Sequence, residues 1–175
     1  MQLYQEQGFD QTTVAEIAAR AGLTERTFFR HFADKREVLF YGTEMARDLL
    51  ARAVADAPAS AAPMDAVGAA LEAFGAMIAE NAERARLRDA VISANAELRE
   101  RELIKLAAFA ATVADALRER GVPDPAASLA AETGLAVFKV AFARWIREPS
   151  QQDLPQVVRA SMDEVRGVLA VQAPV

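Results

Sequence analysis

The sequence predicts an all-α chain in two parts: an N-terminal helix-turn-helix and a larger C-terminal helical body. Three observations predict it. Apolar residues recur at three- and four-residue spacing through most of the 175 residues, and no useful stretch alternates as a strand would. Glycine and proline punctuate this pattern where helices should begin or end, at Gly22, Pro58, Pro63, Gly121, Pro123 and Pro155. Thr12 to Phe32, TTVAEIAARAGLTERTFFRHF, has the layout of two short helices joined by a tight turn.

Within that stretch, Thr12 or Thr13 can cap the first helix through a side-chain oxygen. Val14, Ile17, Ala18 and Ala21 follow at helical spacing and should face inward. Gly22 stands where the turn needs a residue without a Cβ. Thr24 can cap the second helix, and Phe28 and Phe32, four apart, form its buried stripe. Glu25, Arg26, Thr27, Phe29, Arg30 and His31 are left pointing outward, a face rich in donors suited to phosphates and base edges.

Ala33-Asp34-Lys35 reads as the turn into a long helix capped by Asp34. Val38, Leu39, Met45, Leu49, Leu50 and Val54 carry that helix to about Ala57, and the small-residue linker PASAAP, Pro58 to Pro63, ends it. A helix over 64–80 presents Val67, Leu71, Phe74 and Ile78 on one face, and a shorter one over 81–94 is rich in arginine. The next runs over 96–120 and stops at Gly121, a glycine C-cap with Pro123 behind it. The helix over 126–147 is apolar on most faces and therefore needs burial on most faces. Asp153 caps the last helix, with Pro155 in its first turn and Leu154, Val157, Val158, Ser161, Val165, Val168 and Leu169 as its stripe.

Composition narrows the function. Hydrophobic content is 53%, much of it alanine, which points to burial against a partner chain. The net charge of −5 is unevenly spread: Arg20, Arg26, Arg30, Lys35 and Arg36 against Glu25 and Asp34 give a local +3, leaving −8 elsewhere. A small positive patch on an acidic body suits a protein that docks one face on nucleic acid. With no cysteine and one histidine, His31, neither a disulfide nor a zinc site is expected, and no cofactor is implied. No apolar run reaches about 18 uninterrupted residues and no signal peptide is visible, so the expectation is a cytoplasmic protein without a membrane partner. There is no glycine-rich phosphate loop, paired-histidine helix or nucleophile elbow, so an enzyme is not expected.

The segment GFDQTTVAEIAARAGLTERTFFRHFADKREVLF resembles the N-terminal domain of TetR-family transcriptional regulators. The likeness is carried by Gly8-Phe9, Thr12-Thr13-Val14, Ala21-Gly22-Leu23-Thr24, and Thr27-Phe28-Phe29-Arg30-His31-Phe32 followed by Lys35. It implies a DNA-binding surface of Thr13, Thr24, Glu25, Arg26, Thr27, Phe29, Arg30, His31 and Lys35. Glu25, Arg26 and Thr27 would face base edges; Phe29, His31 and Lys35 would meet the phosphate backbone; Thr13 would donate to a phosphate. Arg26 and Arg30 are the expected sequence readers, because a bidentate arginine–guanine pair contributes about 1–3 kcal/mol. Tyrosine is more usual in the family where this chain has Phe29, which removes one hydroxyl donor. The family's first helix usually begins about ten residues before the position of Met1, so the DNA-binding domain looks truncated.

The family pattern sets the boundary inside the helix after Lys35, giving residues 1–44 to DNA binding and 45–175 to effector binding and dimerisation. Glu97 to Trp145 resembles the subgroup that includes mycofactocin-system regulators, which implies an acyl-CoA-type or other apolar effector. Phe74, Met77, Arg88 and Phe109 are the candidate pocket residues; ordinary core packing is the plainer reading of the aromatics, and a solvated surface that of the arginines. Phe138, Phe142, Trp145, Val158 and Val165 are the candidate dimer interface, since a lone chain would struggle to cover both helices. The resulting expectation is a homodimeric, ligand-responsive repressor on a pseudo-palindromic double-stranded operator. The alternative is a helical ligand-sensing or interaction module with impaired DNA binding.

Overall fold

A computed structural model of the chain describes residues 1–148 and 153–169. Among the described residues there are ten α-helices and no strand: α1 Gln2–Gln7, α2 Val14–Arg20, α3 Glu25–His31, α4 Glu37–Phe40, α5 Thr43–Ala55, α6 Pro63–Ala79, α7 Ala82–Ala94, α8 Ala96–Glu119, α9 Ala126–Arg147 and α10 Leu154–Leu169. Pro63 opens α6 at its first position, where its missing N–H is no loss. Gly121 ends α8 with φ 87°, a backbone angle that costs glycine nothing.

The long helix expected from Asp34 to Ala57 is broken. Asp34 accepts from the backbone N–H groups of Arg36 at 2.8 Å and Glu37 at 3.2 Å in the turn that leads into α4, whose N-cap position is Arg36. The helix then stops at Phe40, because Gly42 adopts φ 89°, and restarts at Thr43. The apolar spacing continues across the break, so periodicity alone could not detect it.

The chain forms two compact units. The first joins Met1–Thr43 to Ala82–Ile104; the second takes Glu44–Asn81 and the chain from Lys105 onward. The first unit therefore holds α7 and the start of α8 as well as the helix-turn-helix. Its core is Tyr4 of α1, Leu39 of α4, Ile92 of α7 and Leu98 of α8, with Phe9, Ile17, Phe40 and Val91 packed around them. The Tyr4 hydroxyl donates to the Lys35 carbonyl at 2.7 Å, and burial, then the charge of Asp34, pushes its pKa up to about 12.

The second unit is built on α6, α9 and α10. Gly134 of α9 lets that helix close on Val67 and Leu71 of α6, and Gly75 of α6 faces Leu154 of α10. Phe74, Leu135, Phe138, Leu154, Val158 and Met162 fill the interior. By length and composition α9 could cross a membrane. In this fold it is a core helix instead: Ala127, Ala131, Leu135, Phe138, Ala141 and Trp145 are buried, and Arg144 pairs with Glu164 at 2.8 Å. Leu169, the last predicted member of the α10 stripe, has its side chain outside the described residues.

Candidate nucleic-acid interface

The helix-turn-helix is held by three local devices. At the start of α2, Thr13 Oγ1 accepts from the Glu16 N–H at 3.2 Å, and the Glu16 carboxylate accepts from the Thr13 N–H at 2.8 Å, a reciprocal capping box. These bonds hold the Glu16 carboxyl below its usual range, the Thr13 backbone first, then the Thr13 hydroxyl and Gln7. At the turn, Gly22 has φ 69°, and Leu23 N–H donates to the Ala18 carbonyl at 2.8 Å while Gly22 N–H donates to that of Ala19 at 3.0 Å. This pair of bonds satisfies the last carbonyls of α2 and needs a left-handed residue between them. At the start of α3, Thr24 Oγ1 accepts from the Thr27 N–H at 3.2 Å.

Thr12, the other capping candidate, is buried and its hydroxyl donates to the Gly8 carbonyl at 2.7 Å. Ala18 is buried as expected and Val14 and Ile17 are half-buried, but Ala21 is exposed because it already stands at the end of α2. Phe28 anchors α3, and rings run from Phe29 through Phe28 and Phe32 to Tyr41 with centroid separations of 5.5, 5.2 and 5.7 Å. Glu25, Arg26, Phe29, Arg30 and His31 are exposed along α3, with Thr27 half-buried beside its cap. Arg30 reaches its neighbour His31, Nη2 to Nε2 at 3.4 Å.

Two expected phosphate ligands have other work. Lys35 Nζ donates to the carbonyls of Phe9, Asp10 and Thr12 at 2.7, 3.0 and 2.8 Å, and lies 4.6 Å from the Phe9 ring centroid. An ammonium has three protons, and all three are taken, so Lys35 clamps the turn before α2. Thr13 gives its hydroxyl proton to Glu16 at 2.9 Å. Arg20 pairs with Glu6 at 3.0 Å, and Arg36 with Asp34 at 2.7 Å and Glu97 at 3.3 Å. Arg26 and Arg30 carry the positive charge on the exposed face of α3, and Lys35, bonded only to neutral carbonyls, keeps its charge behind them.

The candidate pocket and interface residues separate differently from expectation. Phe109, Phe74, Phe138, Phe142 and Trp145 form one run of ring contacts in the second unit, with successive centroids 5.5, 4.9, 6.2 and 5.9 Å apart. Met77 is half-buried on α6. Arg88 is not with them: it belongs to the first unit, donates to the Leu39 carbonyl at 2.6 Å and pairs with Glu102 at 2.6 Å. Phe138, Trp145 and Val158 are buried within the single chain, whereas Phe142 and Val165 are half-buried. Among the described residues, the large apolar side chains that α9 and α10 leave exposed are Leu129, Val140 and Val168. Reading α9 as two stripes would have set Leu129 and Val140 apart from the buried set, since Leu129, Ala136, Val140 and Ala143 repeat at helical spacing opposite it.

Comparison with known proteins bears on this arrangement. Residues 1–41 match the bacterial regulatory proteins of the tetR family, and residues 61–170 match the MftR C-terminal domain. The chain belongs to the TetR family. Its N-terminal helix-turn-helix and C-terminal helical domain are those of a TetR-family transcriptional regulator, not of an enzyme. This regulator is similar to the HTH-type transcriptional regulator TcmR of Streptomyces glaucescens, 36% identical over 73 residues, which cover 42% of this chain and 32% of TcmR. The chain thus spans about a third of the length of that relative. Its fold is similar to the TetR-family regulator PfmR of Thermus thermophilus, with 23% identity, a TM-score of 0.58, and coverage of 98% of this chain and 96% of the other. It is also similar to FadR of Thermus thermophilus, a TetR-family repressor in complex with lauroyl-CoA, with 22% identity, a TM-score of 0.62, and coverage of 100% and 94%.

Proposed function

We propose that this TetR-family regulator is a homodimeric, ligand-responsive repressor that binds a pseudo-palindromic operator through α3. The observation that carries this reading is the build of α3: fixed by Thr24, Phe28 and Phe32, it leaves Arg26, Phe29, Arg30 and His31 exposed along one short helix. Arg26 and Arg30 read base edges, and Phe29 and His31 lie along the backbone. Glu25 and Thr27 border them. Lys35 and Thr13 act one step back, by bracing α1 and α2.

Dimerisation is supported by the exposed apolar stripe of α9, where Leu129 is 64% and Val140 57% exposed, and by Val168 of α10 at 71%. A two-fold dimer would set its recognition helices about 34–36 Å apart, one turn of DNA. The effector reading rests on the apolar aromatic run of the second unit and on the lauroyl-CoA bound by FadR. An effector shifts the DNA equilibrium only if it binds the two conformations unequally.

A mobility-shift titration with DNA from upstream of the protein's own gene tests the reading. Retardation at low salt is expected, with Arg26→Ala lowering preference for the operator over random DNA by about 1–3 kcal/mol. Lauroyl-CoA should release the complex. Absence of any retarded species at low salt would overturn DNA binding; release by neither lauroyl-CoA nor shorter acyl-CoAs would overturn the effector class.

A further inference from the structure

The end of α4 is gripped by residues that come more than forty positions later. Leu39 and Phe40 close this four-residue helix, so their carbonyl oxygens have no helical donor ahead of them. Thr43 Oγ1 donates to the Phe40 oxygen at 2.6 Å, and Arg88 Nε donates to the Leu39 oxygen at 2.6 Å. The rest of the Arg88 guanidinium meets Glu102, Nη2 to Oε2 at 2.6 Å and Nη1 to Oε1 at 3.4 Å. Both side chains of the pair are only 22% exposed, which removes it from the class of screened surface pairs. The Phe40 ring is approached by two guanidinium groups, Arg88 at 5.1 Å and Arg101 at 5.0 Å. Arg101 lies 3.7 Å from Glu37, and Glu37 accepts from the Ala33 N–H at 2.7 Å, two residues past the end of α3. Hydrogen bonds, an ion pair and ring contacts thus link α8 to α4 and on to the exit of α3.

We propose that Arg88 and Glu102 are positioning residues for DNA binding: they touch no DNA but fix α4, and through it the pose of α3. The proposal rests on the DNA-binding reading above.

The test uses the full chain with Arg88→Lys, Glu102→Gln and the double variant. Lysine keeps the charge but has no planar fork to reach a carbonyl and a carboxylate together, and glutamine keeps the shape without the charge. Hydrogen exchange should quicken at the amides of residues 32–43 in each single variant, with protection in α9 and α10 unchanged. Affinity for the upstream DNA should fall about tenfold. The slope of log affinity against log salt should stay as in the wild type, since no phosphate contact is lost. The double variant should be no weaker than the singles, because the pair acts as one unit. Unchanged exchange at 32–43, equally faster exchange in α9 and α10, a salt slope flatter by about one, or additive losses would each overturn the proposal. If the wild type itself retards no DNA, the DNA-binding reading fails, and exchange at 32–43 alone decides whether the pair holds α4.

Discussion

The ammonium nitrogen of Lys35 lies 2.7 Å from the carbonyl oxygen of Phe9, and it completes its shell on the carbonyls of Asp10 and Thr12. Lys35→Met keeps the length of the side chain and strips these carbonyls of their donor. The first unit should lose about 1–3 kcal/mol, read from urea unfolding followed by a probe in that unit. If Lys35 acts only through this clamp, any DNA binding that survives should keep the wild-type salt slope. A slope reduced by about one would return Lys35 to the phosphate backbone.

Glu16 connects α2 to pH. Its folded carboxyl lies below the ordinary value, so the stability it contributes is complete above that value and is lost as pH falls through the folded one. Thr13→Ala keeps the backbone bond and removes the hydroxyl. The Glu16 carboxyl should then titrate closer to its usual range by NMR, and unfolding of the first unit should depend less on pH in the acid region than in the wild type. An unmoved Glu16 titration would show that the hydroxyl contributes nothing to the cap.

Gly134 tests the contact of α6 with α9. A Cβ there would fall well inside contact distance of Val67 Cγ1 and 3.2 Å from Leu71 Cδ1. Gly134→Ala should destabilise by about 1–3 kcal/mol through overpacking, measured by thermal or chemical denaturation. Val67→Ala in the same chain should recover part of that loss, because it opens the space the new methyl needs. Equal stability of Gly134→Ala and wild type would contradict the close approach.

Trp145 and Val140 lie on the same helix and should respond in opposite ways. Trp145 is 4% exposed, so Trp145→Ala should cost about 3–5 kcal/mol of protomer stability. Val140→Arg, on the open face, should leave the protomer folded, by circular dichroism, and convert dimers to monomers in sedimentation. A Val140→Arg protein that still sediments as a dimer would move the interface elsewhere.

Most helix ends after Pro63 were legible because they carry local chemistry: proline at the start of α6, glycine at the end of α8, apolar stripes between. Helix α3 was legible for the same reason, through Thr24, Phe28 and the exposed residues around them. What escaped were features set by residues distant in sequence. Arg88 looks like one more surface arginine until Leu39, forty-nine residues earlier, supplies a carbonyl for it. Lys35 looks like a cation ready for phosphate until the chain folds three carbonyls around it. Phe138 and Trp145 belong to a helix apolar on two faces, and spacing does not say which face turns to the chain's own core. Gly42 breaks the expected helix without disturbing the apolar rhythm across it.

The sharing of α8 between two units bears on how such a protein can be rebuilt. Cut-and-paste chimeras join one regulator's DNA-reading head to another's sensing body, and a seam after Thr43 is the natural place to cut. Here that cut would leave Ile92, Leu98 and Arg88 behind, stripping the head of two core residues and of the cap on α4. A transplant would have to carry Ala82–Ile104 along with it, or be grafted onto a host that already offers an arginine and an apolar surface at the same place.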